Sequence, residues 1–422
     1  MSDACSRRDG QLRSPPLCRF CEAPLEAVFA DLGSSPLANS YLDPDCLGGM
    51  EAFYPLRALV CARCFLVQLE EFESPERIFS DYAYFSSYSK SWLEHSRGYA
   101  EQMIAQLGLG AHSQVVELAS NDGYLLQYFR SAGIPVLGVE PAANVAAAAE
   151  QRGVPTLVKF FGRATARELA PAAAADLVVA NNVLAHVPDI NDFVGGVKLL
   201  LKPGGVVTME FPHLLRLVQA KQWDTIYHEH FSYLSFLTAS RIFAAHGLRL
   251  FDVEELPTHG GSLRVYGAHH DDPDKPDSER ARELRARELA AGYEQLATYT
   301  DYAAGVAADK RQILGFLIAV KNQGQRVVGY GAPAKGNTLL NYCGVGADFI
   351  EYTVDVSPYK QGRHLPGSRI PIRAPEVLRE DHPDVVVILP WNLREEILRE
   401  HAYIRAWGGR FAARAQRMEF IA

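Results

Sequence analysis

Short apolar, β-branched runs alternate with apolar helical periods over the middle of this chain. Val115-Val-Glu-Leu118 ends in a polar turn containing Gly123, and a helical pattern starts at Tyr124. That is the opening strand–loop–helix of a doubly wound α/β sheet, with its loop at the carboxyl end of the strand, where ligands bind. Pro135–Glu140 predicts a second strand ending in a carboxylate, and an Ala-rich helix from Ala142 to Gln151 follows. A short third strand is expected to end near Lys159-Phe-Phe161. A fourth, Asp176–Ala180, runs into Asn181-Asn-Val-Leu-Ala-His-Val-Pro-Asp189. The next helix is expected to close on Leu201-Lys-Pro-Gly-Gly205, the glycines giving a left-handed exit into the strand Val206–Glu210. The alternation stays regular to about Phe251.

The flanks carry different patterns. Residues 17 to 70 hold short β-like runs around two C-x-x-C pairs, Cys18/Cys21 and Cys61/Cys64. Two such knuckles supply four thiolates to one tetrahedral, closed, structural zinc. A redox role for either pair is disfavoured because neither opens a helix after a strand, and Cys5 and Cys46 lack a paired spacing. Residues 75 to 110 read as helical behind an aromatic segment, Asp81-Tyr-Ala-Tyr-Phe-Ser-Ser-Tyr-Ser89, either a polar pocket wall or rings packed between domains. Residues 275 to 323 read as charged helices with a solvated face. A second α/β unit then opens at Arg326-Val-Val-Gly-Tyr-Gly-Ala-Pro-Ala-Lys-Gly-Asn-Thr338, with Phe349–Asp355 and Asp384–Leu389 as further strands.

The chain's 422 residues, 48% hydrophobic, suffice for two or three cored domains. A net charge of −8 without large blocks argues against a general nucleic-acid binder. The longest apolar runs are too short to span a bilayer, and residues 1 to 20 hold no secretory core, so a cytoplasmic protein without membrane partners is expected.

The first loop lacks the three-glycine dinucleotide fingerprint, keeping only Gly123, so it does not suit a pyrophosphate. Glu140, 23 positions after Glu117, has the spacing of an acid that accepts hydrogen bonds from a ribose diol. A nucleoside without phosphates, S-adenosylmethionine, fits that pair. The densest chemical stretch is Trp223–Ser235, with two histidines, a carboxylate and two tyrosines between Tyr227 and Tyr233; it suits acid–base work or, alternatively, a polar core between domains. Its histidines are two apart and cannot share a helix face as zinc-protease ligands do. Gly260-Gly261-Ser262 with Arg264 offers amides and a cation to a diphosphate, or only a hairpin bend. The Gly-rich turn before Lys335 offers a helix N-terminus and a point charge for phosphate, yet matches neither an NAD nor an ATP loop.

Taken together, Glu117, Gly123, Glu140, the Asn181–Val187 turn and Leu-Lys-Pro-Gly-Gly resemble a class I S-adenosylmethionine methyltransferase. With the four cysteines, the Tyr-His-Glu-His-x-Ser-Tyr stretch and the C-terminal unit, nearly the whole chain resembles sugar C-methyltransferases. These act at carbon 3 of nucleotide-linked 4-keto deoxyhexoses. The resemblance implies a zinc domain (1–74), a methyltransferase domain (75–270), and a helical connector with a Rossmann-like domain that holds the nucleotide sugar (271–422). It implies His230 as the base, with Glu229 orienting or charging it and Tyr227 hydrogen-bonding the enolate oxygen. His186 is either a second acid–base group or an ordinary histidine of that turn. The active site is also expected to take Tyr84 or Tyr82 from the aromatic segment. The donor set expected is Glu117, Ala119, Asn121, Gly123, Tyr124, Glu140, Pro141, Phe160, Asn181 and Asn182. The sugar-nucleotide set comprises Tyr82, Ser86, His228, His259, Gly260, Gly261, Ser262, Arg264, Tyr330, Ala332, Lys335, Asn337, Asp355 and Lys360, with Trp391 nearby. Separate domains suit a monomer. The competing readings are an O- or N-methyltransferase, an NAD-dependent sugar oxidoreductase or epimerase, and a zinc-knuckle protein with an inactive methyltransferase domain.

Overall fold

The structure is a computed structural model that describes residues 15–74, 86–88, 90–414 and 417–421. Tyr82 and Tyr84 lie outside the described residues. Three sheets organise the chain. In the first, β1 (Ala27–Ser35), β2 (Tyr54–Val60) and β3 (Val67–Leu69) form an antiparallel meander.

The second sheet contains the parallel strands β4 (Val115–Leu118), β5 (Val136–Val139), β6 (Thr156–Leu157), β7 (Ala175–Asn181) and β8 (Leu201–Pro212). The two-residue strand β9 (Ser232–Tyr233) leaves this unit and pairs with β3, so the Tyr227–Tyr233 stretch bridges from the second unit to the first sheet. β10 (Leu248–Leu256) and β11 (Ser262–His269) then return, giving the order β10-β11-β8-β7-β4-β5-β6 with β11 antiparallel to both neighbours. The order reverses at β4, whose neighbours are β5 and β7, and the crevice at that switch point is where an open α/β sheet binds its ligand.

Helix ends follow local chemistry. Asp189 and Ser235 each accept from the amide three residues on, Asp192 at 2.9 Å and Thr238 at 3.0 Å, and so start helices Ile190–Leu200 and Phe236–Ala245. The expected glycine exit at Leu201–Gly205 is realised differently. The helix closes at Leu200 and the strand starts at once, with Gly204 at φ +76° inside an irregular stretch of β8. Helix Glu279–Ala290 is not merely a solvated face. Its Glu288 is fully buried and accepts from the amides of Phe236 and Leu237, both at 2.8 Å, and from His213 Nε2 at 2.7 Å. A carboxylate there answers the unpaired amides of a helix start.

The third sheet has the order β14-β13-β12-β15-β16-β17, formed by β12 (Val327–Tyr330), β13 (Thr353–Val354), β14 (Ile372–Arg373), β15 (Val385–Ile388), β16 (Arg410–Arg414) and β17 (Met418–Ile421). All neighbours are parallel except β16 and β17. One apolar core runs from Phe29, Val60 and Val67 of the first unit through Ile313 to Leu339 and Val387 of the last. A second joins Leu59 and Leu66 to Phe236 and Phe243. The first unit is therefore wedged against both others. Among the described residues no helix is long and apolar enough to cross a membrane.

Candidate active site

The four paired cysteines converge. Their sulfurs lie within 4.8 Å of one another, with Cys18–Cys64 and Cys21–Cys61 each at 3.5 Å. Bonds of about 2.3 Å to a tetrahedral zinc set the sulfurs roughly 3.8 Å apart, so this donor set fits that ion closely and leaves no open position. The two knuckles repeat one fold. The residue after each second cysteine is left-handed, Glu22 at φ 59° and Phe65 at φ 62°, and its amide donates back to Cys18 and Cys61 carbonyls at 2.9 Å. The exposed Cys46 is not part of the cluster.

A cavity of about 630 Å³ opens at the switch point of the second sheet and is walled by all three units. Its donor-side wall includes Ala119, Asn121, Tyr124, Glu140, Pro141, Phe160, Asn181 and Asn182, eight of the ten residues expected there. The loop after β4 is wound through three left-handed residues, Ala119 (φ 52°), Asn121 (φ 49°) and Gly123 (φ 74°), and Asn182 at the end of β7 is a fourth (φ 57°). Such backbone is costly outside glycine and concentrates at ligand clamps. Glu140 fixes the loop by accepting from the Asn121 and Ala142 amides, both at 2.9 Å.

Glu117 and Gly123 do not reach this wall. Glu117 is fully buried beneath the loop, bonded to Tyr124 and with Oε2 unpartnered, and burial raises its carboxyl well above the usual range. Gly123 is required by packing, because a Cβ there would sit 3.0 Å from Val154.

Another stretch of the cavity wall is formed by His186, Tyr227, Glu229, His230 and His259. His230 Nδ1 lies 3.0 Å from the Thr225 carbonyl, and its Nε2 lies 2.8 Å from the Tyr227 hydroxyl. A carbonyl only accepts, so Nδ1 carries the proton and Nε2 is the basic nitrogen, receiving the phenol's hydrogen. His186 is fixed in the same tautomer, Nδ1 donating to the Glu229 carbonyl at 2.8 Å, and its ring crosses that of His230 at 4.7 Å. Burial lowers His186 and His259 to about 4 and pushes His230 down as well, so all three are neutral near pH 7. Burial raises the Glu229 carboxyl to about 7.

Three expectations for this wall are corrected. Glu229 does not orient His230; Thr225 and Tyr227 do. The Glu229 carboxyl is held instead by Asn39 Nδ2 at 2.7 Å, and its carbonyl orients His186. Tyr227 has one hydroxyl hydrogen, and His230 takes it, so in this arrangement none is left for a substrate oxygen. His228 turns away into the first unit, bonding the Pro55 carbonyl at 3.1 Å between the Tyr54 and Phe72 rings.

Of the sugar-nucleotide set, Ser86, His259, Lys335 and Lys360 line the cavity. Burial pushes Lys335 down to about 8; it lies 4.4 Å over the Trp391 ring and donates to Asn392 at 2.8 Å. The other described members are absorbed by the fold. Arg264 is buried and neutralised by Glu210 at 2.6 Å and Glu254 at 3.0 Å. Gly260 and Gly261 leave room for Trp391 and Arg216, which a Cβ would approach to 2.4 and 2.9 Å. Ser262 donates to the Thr258 carbonyl, Tyr330 meets His401, and Asn337 donates to the Ala38 carbonyl. Asp355 caps the Gly-rich turn at the Ala332 amide, whose carbonyl takes Tyr41 and Lys360. Trp391 donates to Asp224 at 2.7 Å. Asn39, Trp92 and Thr225 line the cavity without having been singled out. Trp92 sits on an ordinary amphipathic helix, Lys90–Leu107, and a lone loop asparagine gives no signal.

Known proteins match along most of the chain. Family models cover residues 18–79 ("Putative zinc binding domain"), 92–253 ("Methyltransferase domain") and 257–414 ("C-methyltransferase C-terminal domain"). The C-methyltransferase NovU of Streptomyces niveus is 38% identical over 398 residues, which is 93% of this chain and 94% of that protein. The chain belongs to the C-methyltransferase family. The family and the sheet order together make it an S-adenosylmethionine-dependent methyltransferase. A ubiquinone biosynthesis O-methyltransferase of Paramagnetospirillum magneticum matches at 36% identity, but over 22% of this chain and 37% of that protein. A Burkholderia thailandensis structure, 1,6-didemethyltoxoflavin-N1-methyltransferase, aligns at 18% identity with a TM-score of 0.37, covering 49% of this chain and 95% of that one; at that score the likeness carries no argument.

Proposed function

We propose that this C-methyltransferase methylates carbon 3 of a nucleotide-linked 4-keto deoxyhexose through an enolate, in deoxysugar biosynthesis. The observation that carries the reading is the Tyr227–His230 pair lining the same cavity as the expected donor residues, with the tautomer that leaves Nε2 basic fixed by the Thr225 carbonyl. A carbon nucleophile needs a proton removed first, and a neighbouring ketone makes carbon 3 acidic. The pair accepts that proton, which comes to rest on His230 Nε2 either directly or by relay through the Tyr227 oxygen. Glu229, balanced near neutrality, keeps a hydrogen for the enolate oxygen, in the way a buried carboxylic acid serves as an oxyanion donor. S-adenosylmethionine supplies an electrophilic methyl: the carbon–carbon bond forms as the sulfur–methyl bond breaks, and the sulfonium becomes a thioether. Glu140 and Asn121 hold its ribose side, while Lys335 and Lys360 attract the sugar diphosphate. The four cysteines hold a structural zinc, so no step of the transfer passes through the metal.

The test is incubation with S-adenosylmethionine and a TDP-linked 4-keto-6-deoxyhexose in deuterated water, read by mass spectrometry and NMR. A methyl group on carbon 3 is expected. A methyl on oxygen or nitrogen, or no transfer and no deuterium at carbon 3 with the donor still bound, overturns the reading.

A further inference from the structure

The segment Ala38–Tyr41, leaving β1 of the zinc unit, touches both other units at the cavity. The Ala38 carbonyl accepts from Asn337 Nδ2 at 2.6 Å, and the Tyr41 hydroxyl donates to the Ala332 carbonyl at 2.6 Å. Between them, Asn39 is exposed in the cavity wall, yet its Nδ2 donates to the buried Glu229 Oε1 at 2.7 Å. Its own Oδ1 lies 3.3 Å from the Tyr41 hydroxyl, whose one hydrogen goes to the Ala332 carbonyl, so the amide is placed by its bond to the Glu229 carboxyl. Among the described residues, Asn39 is the side chain that hydrogen-bonds the Glu229 carboxyl.

We propose that Asn39 is a positioning residue of the transfer site: it commits Glu229 Oε1 to accepting, so that the exchangeable proton sits on Oε2. The zinc unit thereby sets the proton donor of a reaction carried out in the methyltransferase unit. The proposal rests on the reading of Glu229 as a reacting-site group. The groups around Glu229 are His186, bonded to its carbonyl, Tyr41 from the Asn39 segment, and His230, His259, Lys335 and Lys360, which line the same cavity. Burial raises the carboxyl and the Asn39 bond lowers it, so losing the bond moves the midpoint upward.

Infrared titration of the full-length protein tests this without any sugar. The protonated-carboxyl band that disappears in Glu229→Gln is followed against pH in the wild type, in Asn39→Leu and in Asn39→Asp. Zinc content and donor affinity, measured in each variant, report that the fold is kept. The midpoint is expected to rise in Asn39→Leu and to rise further in Asn39→Asp, which loses the donor and adds a like charge. An unmoved midpoint in folded variants overturns the proposal. A moved midpoint with a failed sugar assay supports Asn39 and rejects the substrate reading instead.

Discussion

At the scale of single residues, the Tyr-His-Glu-His stretch is sorted by which carbonyl each ring meets. His228 and His230 are two positions apart, yet one donates to Pro55 in the first unit and the other lines the cavity. Replacing His230 with alanine is expected to lower methyl transfer by roughly 100-fold or more, the contribution of a positioned base, with donor affinity by titration calorimetry nearly unchanged. His228→Ala is expected to spare turnover. The buried histidines also set an acid response. A histidine held neutral in the fold while its unfolded form protonates near 6.5 costs stability as pH falls from there toward its folded value, about 4 for His259. The raised carboxyls Glu117, Glu140 and Glu229 act in the opposite sense over an overlapping range, so the histidine share is read from a difference. The melting temperature of His259→Gln relative to wild type is expected to climb as pH falls from 7 to about 5. A constant difference in differential scanning calorimetry would show that His259 titrates normally.

At the scale of elements, the informative cases are turns whose residues serve neighbours rather than ligands. Gly260 and Gly261 look like an anion cradle in sequence, but they are small because Trp391 and Arg216 lie against them. The knuckles are the converse. Their spacing alone names the ligands, because only thiolates on two tight left-handed turns bring four sulfurs within 4.8 Å. Elemental analysis is expected to find about one zinc per chain in the wild type and less in Cys64→Ser, whose melting temperature is expected to be lower. Full zinc retention would remove Cys64 from the site. Because β3 of this unit pairs with β9, the loss is expected to reach the Tyr227–Tyr233 stretch as well.

At the scale of the whole molecule, shared apolar cores join the three units, and a buried polar network also fastens the second to the third. Arg414 on β16 bonds Asp224 at 2.9 Å and Asp309 at 3.1 Å, Trp391 donates to Asp224, and Lys221 reaches Asp309. Arg414→Ala would remove the guanidinium from two carboxylates, both under a tenth exposed, leaving Trp391 on one and Lys221 on the other, and is expected to cost about 3 kcal/mol in denaturant unfolding. A loss below 1 kcal/mol would mean the carboxylates find water or other partners. Fold class, the succession of strands and helices and the grouping of four cysteines were legible in sequence, because hydrophobic period and cysteine spacing are local signals. So were most donor-wall residues, which sit at the ends of β4, β5 and β7, where chain topology dictates the crevice. What only the tertiary structure decided is which polar residues of the other units reach that crevice. Arg264, Asn337 and Asp355 are spent on structural partners, whereas Asn39 arrives from 190 positions away to meet Glu229. The reason is physical: a local pattern fixes the face a side chain takes, but a charge or amide goes to whichever partner packing brings within about 3 Å.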